Sequence, residues 1–116
     1  MTLQQAQAKF TRKIALLILW ADSKNYDLTF GEAYESPDEA NPEHLKTGQH
    51  PKRLAIDLNL FIAGQYRKDT EAYAELGAFW ILLSEPGLLC RWGGTFSNVK
   101  DGGHFECVQK EEIKNG

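Results

Sequence analysis

The sequence predicts an α+β domain, and three observations carry that prediction. Near the N-terminus Phe10, Ile14, Leu17, Ile18 and Ala21 recur at helical spacing, whereas Leu54, Ile56, Leu58 and Leu60 alternate as a strand does when it buries one face. Helical and extended stretches fall in separate blocks, and strands that are neighbours in sequence suit antiparallel pairing. The 116 residues, 42% of them hydrophobic, suffice for one domain, 1–116, with one core and no need of disulfides; residues 110–116 read as a frayed charged tail.

Thr2 is placed to cap the first helix, which the apolar spacing carries to about Ala21. After the turn-forming residues 23–25, a strand is expected within 26–34, centred on Leu28-Thr29-Phe30, with Gly31 marking a bulge or a close backbone approach. Ser36-Pro37-Asp38-Glu39 reads as a helix start: Ser36 the N-cap, Pro37 the first helical residue, Glu39 the capping-box partner. Pro42 and Thr47-Gly48 keep that helix short.

Residues 54–62 form the clearest strand. Alternation sends Leu54, Ile56, Leu58 and Leu60 to one face and Ala55, Asp57 and Asn59 to the other, so Asp57 is free to serve a site. Residues 64–68 are expected as a turn, and Asp69 or Thr70 caps a helix reaching Leu83, with Tyr73, Leu76, Phe79, Trp80 and Leu83 as its buried set. Pro86-Gly87 stops it. Residues 88–92 are a strand, Gly93-Gly94 a tight turn or bulge, and residues 104–108 a last strand with His104 and Glu106 on one face, Phe105 and Cys107 on the other.

A formal net charge of -3 and the lack of a basic stripe argue against a nucleic-acid partner. The apolar run 14–21 is too short to span a bilayer and the N-terminus carries no cleavable signal pattern, so synthesis in a cytoplasm is expected, without stable membrane insertion. In such a compartment Cys90 and Cys107 are expected as free thiols.

Two imidazoles and a carboxylate, His50, Asp57 and His104, make a set that zinc accepts while keeping a fourth position open for water. Seven positions separate His50 from Asp57, about 23 Å if extended and about 10 Å in one helix, so the segment after His50 must fold back over the sheet for both to meet one ion. His104 joins them if its strand lies beside that of Asp57. The competing reading is that these are ordinary hydrogen-bonded side chains, since a lone His more often is one.

The pattern His50-x6-Asp57 with Ala55 two before the Asp, then Trp92-Gly93-Gly94, then Asp101-x-x-His104-Phe105-Glu106, resembles the M15 family of zinc D,L- and D,D-peptidases. Within that family it is most similar to the phage endolysin branch that cuts the L-alanyl-D-glutamate bond of peptidoglycan. The resemblance covers residues 28–106. It implies a small antiparallel sheet with helices packed on one side, the arrangement of D-Ala-D-Ala peptidases and hedgehog domains. It also implies Zn2+ on His50, Asp57 and His104, with Asp101 as general base; an ordinary turn residue before Gly102-Gly103 is the plainer reading of Asp101. Glu106 is either an acceptor that orients a ligand imidazole or a solvated strand residue, and Trp92 either lines a cleft or fills the core.

Three positions depart from the family pattern. Gly48 replaces a Ser two before the first zinc His, and Arg53 replaces a Gly three after it; neither is a ligand. Glu35, in Tyr34-Glu35-Ser36-Pro37, stands where the family carries an Arg that binds substrate and developing oxyanion, a task for a cation such as Lys52, Arg53 or Arg91 instead.

The resemblance therefore implies a zinc endopeptidase acting, as a monomer, on the stem peptide of peptidoglycan. It would be made in the host bacterial cytoplasm and reach the wall after a separate protein permeabilises the membrane. A D-alanyl-D-alanine carboxypeptidase is the nearest alternative. A zinc-bearing wall-binding or phage structural module that cleaves nothing, and a non-haem iron oxygenase, are readings from other classes; the first predicts zinc without cleavage, the second iron with oxygen-dependent turnover.

Overall fold

Thr2 opens the first helix through a capping box: its hydroxyl accepts from Gln5 N at 3.1 Å, and its own N–H donates to Gln5 Oε1 at 2.8 Å. The computed structural model describes residues 1–31 and 52–110. Helix α1 (Leu3–Ser23) buries Ala6, Phe10, Ile14, Leu17 and Ala21, with Ile18 at the margin, as the spacing predicts. Lys13 lies on the same face. Its stem is buried and its ammonium donates to Leu83 O at 2.8 Å and Glu85 Oε1 at 2.7 Å, so the charge is paired rather than stranded.

Asn25, with φ 63, turns the chain into strand β1 (Tyr26–Phe30), which runs antiparallel to strand β2 (Ala55–Ile62) from Tyr26↔Ile62 to Phe30↔Leu58. Gly31 is a close approach and not a bulge: its N–H donates to Asp57 O at 2.7 Å, and a Cβ there would stand 3.1 Å from that oxygen. The expected helix start at Ser36, together with Glu35, Gly48, His50 and the tail beyond Lys110, lies outside the described residues.

The segment expected as a turn after Gly64 is in fact strand β3 (Gln65–Arg67), joined to β2 by Ala63 (φ 52) and Gly64 (φ 78) and paired from Leu60↔Arg67 to Ile62↔Gln65. Successive positive φ values give the turn a twist that matches its flanking strands, which folds these residues back onto β2. Asp69 is the cap of the next element, accepting from Ala72 N at 3.1 Å. The first turn, Thr70–Tyr73, is a 3-10 turn; helix α2 (Ala74–Leu82) follows, with Leu76 and Trp80 buried and Phe79 and Leu83 partly so.

Strands β4 (Leu88–Trp92) and β5 (His104–Gln109) complete an antiparallel sheet in the order β1-β2-β5-β4, with β3 on β2. Leu54, Ile56, Leu58, Leu60, Leu88, Cys90, Trp92, Phe105 and Cys107 all point to the face that receives α1 and α2. Trp80 ties this core together: edge-on to Phe10 and to Phe105, it donates its indole N–H to the carbonyls of Arg91 and Glu106, each at 3.1 Å. A side chain such as Phe105, wholly buried, contributes about 3 kcal/mol. Cys90 and Cys107, cross-strand partners, are free buried thiols. The helices thus cover one side and leave the other for Asp57, His104 and Glu106. Among the described residues no helix is long and apolar enough to cross a membrane.

Candidate active site

Alternation along β2 and β5, not a special loop, brings the first two site residues together. Asp57 and His104 are register partners, and the same face carries the pairs Ala55↔Glu106 and Arg91↔Glu106. Register here is strongly specified, because a slip of one residue would turn Asp57 into the helix-facing core. His104 Nδ1 lies 3.1 Å from Asp57 Oδ1.

The turn from Asp101 to His104 is clamped on several sides. Asp101 N–H donates to Gly93 O at 3.0 Å, His104 N–H donates to Asp101 O at 3.2 Å, and Leu58 N–H donates to Gly103 O at 2.8 Å. Trp92 donates its indole N–H to Gly102 O at 2.7 Å. With 9% of its surface exposed and both Gly77 and Gly94 against its ring, Trp92 belongs to the core and not to a cleft. Gly93 leaves room that no other residue leaves: a Cβ there would overlap the Asp101 carbonyl and reach 2.9 Å from His104 Cβ.

The result is a cluster. Asp57, Asp101 and His104 each offer one ligand atom, all within 4.8 Å of one another, with Asp101 the exposed member and the His104 side chain 12% exposed. On the far side of the ring, His104 Nε2 lies 2.7 Å from Glu106 Oε1. Burial pulls the His104 pKa down, but hydrogen bonds to Asp57 and Glu106, and their charges, outweigh it and raise the pKa from 6.5 to about 9. Glu106 is buried rather than solvated, and its second oxygen stands 3.6 Å from Arg91 Nη1. The Arg91 guanidinium lies 4.9 Å from the centre of the Phe96 ring, which in turn is 5.6 Å from the His104 ring.

Of the predicted site residues, the fold therefore unites Asp57, Asp101 and His104, while His50 is outside the described residues. Arg91 is engaged by Glu106 on the Nε2 side of His104, away from Asp57. Arg53 adopts φ 58, the left-handed conformation that glycine reaches without steric cost, at the position where the family often has Gly. Gly31 and Phe96 were not anticipated as neighbours of the site. A glycine two residues beyond Thr29 hinted at the first; nothing in the pattern around Phe96 pointed to the second.

A family model described as D-alanyl-D-alanine carboxypeptidase matches residues 44–107, more than half of the chain and the whole span of the cluster. The chain belongs to the M15 peptidase family. The crystal structure of the Serratia marcescens L-Ala D-Glu endopeptidase ChiX superposes on this M15 member with a TM-score of 0.66 at 21% identity, covering 85% of this chain and 77% of that one. That likeness shows the shared α+β fold. No curated protein matches the chain.

The donor set of this M15 member fits the divalent metal that its family implies. The His104 imidazole and the Asp57 carboxylate converge at ligand range with the Asp101 carboxylate beside them, and both backbone segments that carry them are hydrogen-bonded in place.

Proposed function

We propose that this single-domain M15 member is a zinc-dependent peptidase of the peptidoglycan stem peptide, of the endolysin type that cuts the L-alanyl-D-glutamate bond. The observation that carries the reading is the convergence of Asp57, Asp101 and His104 within 4.8 Å in a chain of this family. Zinc would be held by His50, Asp57 and His104, and when bound it supplies Lewis acidity, making a coordinated water acidic and polarising the scissile carbonyl.

The other roles fall to the chain itself. Asp101, exposed at the edge of the cluster, accepts a proton from the attacking water and returns it to the departing amine. Asp57 and His104 are held by the sheet, Asp101 by the Gly93 carbonyl, so little reorganisation accompanies the reaction. Glu35 supplies no positive charge for the oxyanion; Lys52 and Arg53, in the turn just before β2, are the candidate cations for that role.

A second reading, removal of a terminal D-alanine, is favoured by the description of the matching family model. Digestion of purified peptidoglycan, with mass spectrometry of the fragments, separates the two. Release of stem peptides lacking L-alanine supports the endopeptidase, and loss of single D-alanine residues supports the carboxypeptidase. Intact peptidoglycan in the presence of bound zinc would leave a wall-binding module. The protein is taken to act as a monomer, made in the cytoplasm of a phage-infected bacterium and reaching the wall once another protein has permeabilised the membrane.

A further inference from the structure

His104 has two ring nitrogens, and only one can serve the cluster. Nδ1 is the one beside Asp57, on the side where Asp101 also converges; Nε2 meets Glu106 Oε1 at 2.7 Å. A carboxylate has no proton to give, so this contact is satisfied only when Nε2 carries hydrogen and donates it. A neutral imidazole protonated at Nε2 has its lone pair at Nδ1, directed at the cluster.

Glu106 is itself fixed. It is a strand residue opposite Arg91 and Ala55, with 9% of its side chain exposed, and its remaining oxygen faces the Arg91 guanidinium at 3.6 Å. A carboxylate at that depth is costly unless paired, and it is paired at both oxygens. Glu106 takes no part in the proton transfers that fall to Asp101. Its placement is accounted for by the ring it holds.

Resting on the metal reading of the cluster, we propose that Glu106 is a positioning residue. It selects the Nε2–H form of His104 and locks the ring so that Nδ1 is the metal-binding atom, while Arg91 holds Glu106 in turn. A glutamine at this position can present either its oxygen or its NH2 to Nε2, so it fills the space but no longer selects the tautomer. An alanine removes the restraint altogether.

The test uses the full chain with 15N-labelled histidine, zinc as the only added metal, and two measurements. Zinc affinity is determined by competition with a chromophoric chelator, and the ring 15N shifts of His104 are recorded in the zinc-loaded protein. In the wild-type protein the expected result is a protonated Nε2 and a metal-bound Nδ1. In Glu106→Gln and Glu106→Ala, zinc affinity is expected to fall about 10- to 100-fold, the scale for losing a partner behind a ligand imidazole. In the metal-free protein at high pH their His104 signals should move towards the Nδ1–H tautomer that Asp57 favours, with the folded amide spectrum retained.

A wild-type protein that binds zinc through Nε2 of His104 overturns the proposal, even if neither variant folds. So does wild-type affinity in both folded variants. A wild-type protein that binds no zinc overturns the metal reading itself, which keeps the two failures apart.

Discussion

Asp57 and His104 face each other across adjacent antiparallel strands, with the imidazole Nδ1 3.1 Å from the carboxylate Oδ1. This contact makes a proton and a metal rivals for the same nitrogen. The His104 pKa is raised from 6.5 to about 9, so at neutral pH the metal-free ring is protonated and zinc must displace that proton. Apparent zinc affinity should climb about tenfold per pH unit between pH 6 and 8 and level off near the raised pKa, as read by titration against a chelator. Because the folded value lies above the unfolded one, the protonated ring stabilises the metal-free fold fully below pH 6.5. That contribution is lost as pH rises through about 9. Denaturant melts of metal-free protein at pH 6 and pH 9 check the sign; equal contributions from His104, judged against His104→Gln, would contradict it.

Asp101 is assigned the proton and not the metal. Asp101→Asn should keep zinc and fold while the rate falls by about two to four orders of magnitude, since the amide preserves shape but is not a base. Metal analysis beside a peptidoglycan assay distinguishes the outcomes. Release of zinc would make Asp101 a ligand.

Gly93 carries the Asp101 turn at a distance that admits only hydrogen. Gly93→Ala must push back the Asp101 carbonyl and His104 Cβ together, both parts of the site. The expected cost is about 1–3 kcal/mol of stability, with loss of zinc affinity larger than for an alanine at exposed Gly64. Thermal melts and zinc titration of the two variants provide the comparison.

Arg53 is a non-glycine residue in the left-handed region, at φ 58. Relief of that strain, on the order of 1–2 kcal/mol, exceeds the extra chain entropy that glycine loses on folding. Arg53→Gly therefore gains about 0.5 kcal/mol from the backbone, and a fall in the denaturation midpoint would show that the contacts of the Arg53 side chain outweigh that gain. If the Arg53 side chain supplies the missing oxyanion cation, the same variant will be less active on peptidoglycan.

Glu35 gives the complementary experiment. Glu35→Arg should increase hydrolysis of peptidoglycan, because a guanidinium stabilises the tetrahedral oxyanion that a carboxylate repels. Unchanged activity in a folded variant would show that another cation already fills the role.

The parity of Leu54, Ile56, Leu58 and Leu60 was enough to put Asp57 on the open face, and the same parity placed His104 with Glu106. What joined them, the register Asp57↔His104, was legible only as a possibility, because register depends on how the strands are connected and packed. Strand β3 was missed for a related reason. Gln65–Arg67 is too short to show alternation, and Ala63 in the turn is not a residue type that announces positive φ. The Arg91 to Glu106 contact was hidden likewise in the pairing of β4 with β5, whereas the caps at Thr2 and Asp69 are local chemistry and could be read directly.

Strand β2 is hydrogen-bonded along both edges. One edge meets β1 and the Gly31 N–H; the other meets β5, then Gly103 O at Leu58 N, then the Tyr73 hydroxyl at Leu60 N, then β3. A strand so enclosed has no local route to opening, so the amides of Leu58 and Leu60 should exchange with solvent only when the whole domain unfolds. The carboxylate of Asp57 rides on this enclosed strand. Its share of the site stands ready in the metal-free protein, and an arriving ion has little of this strand left to order.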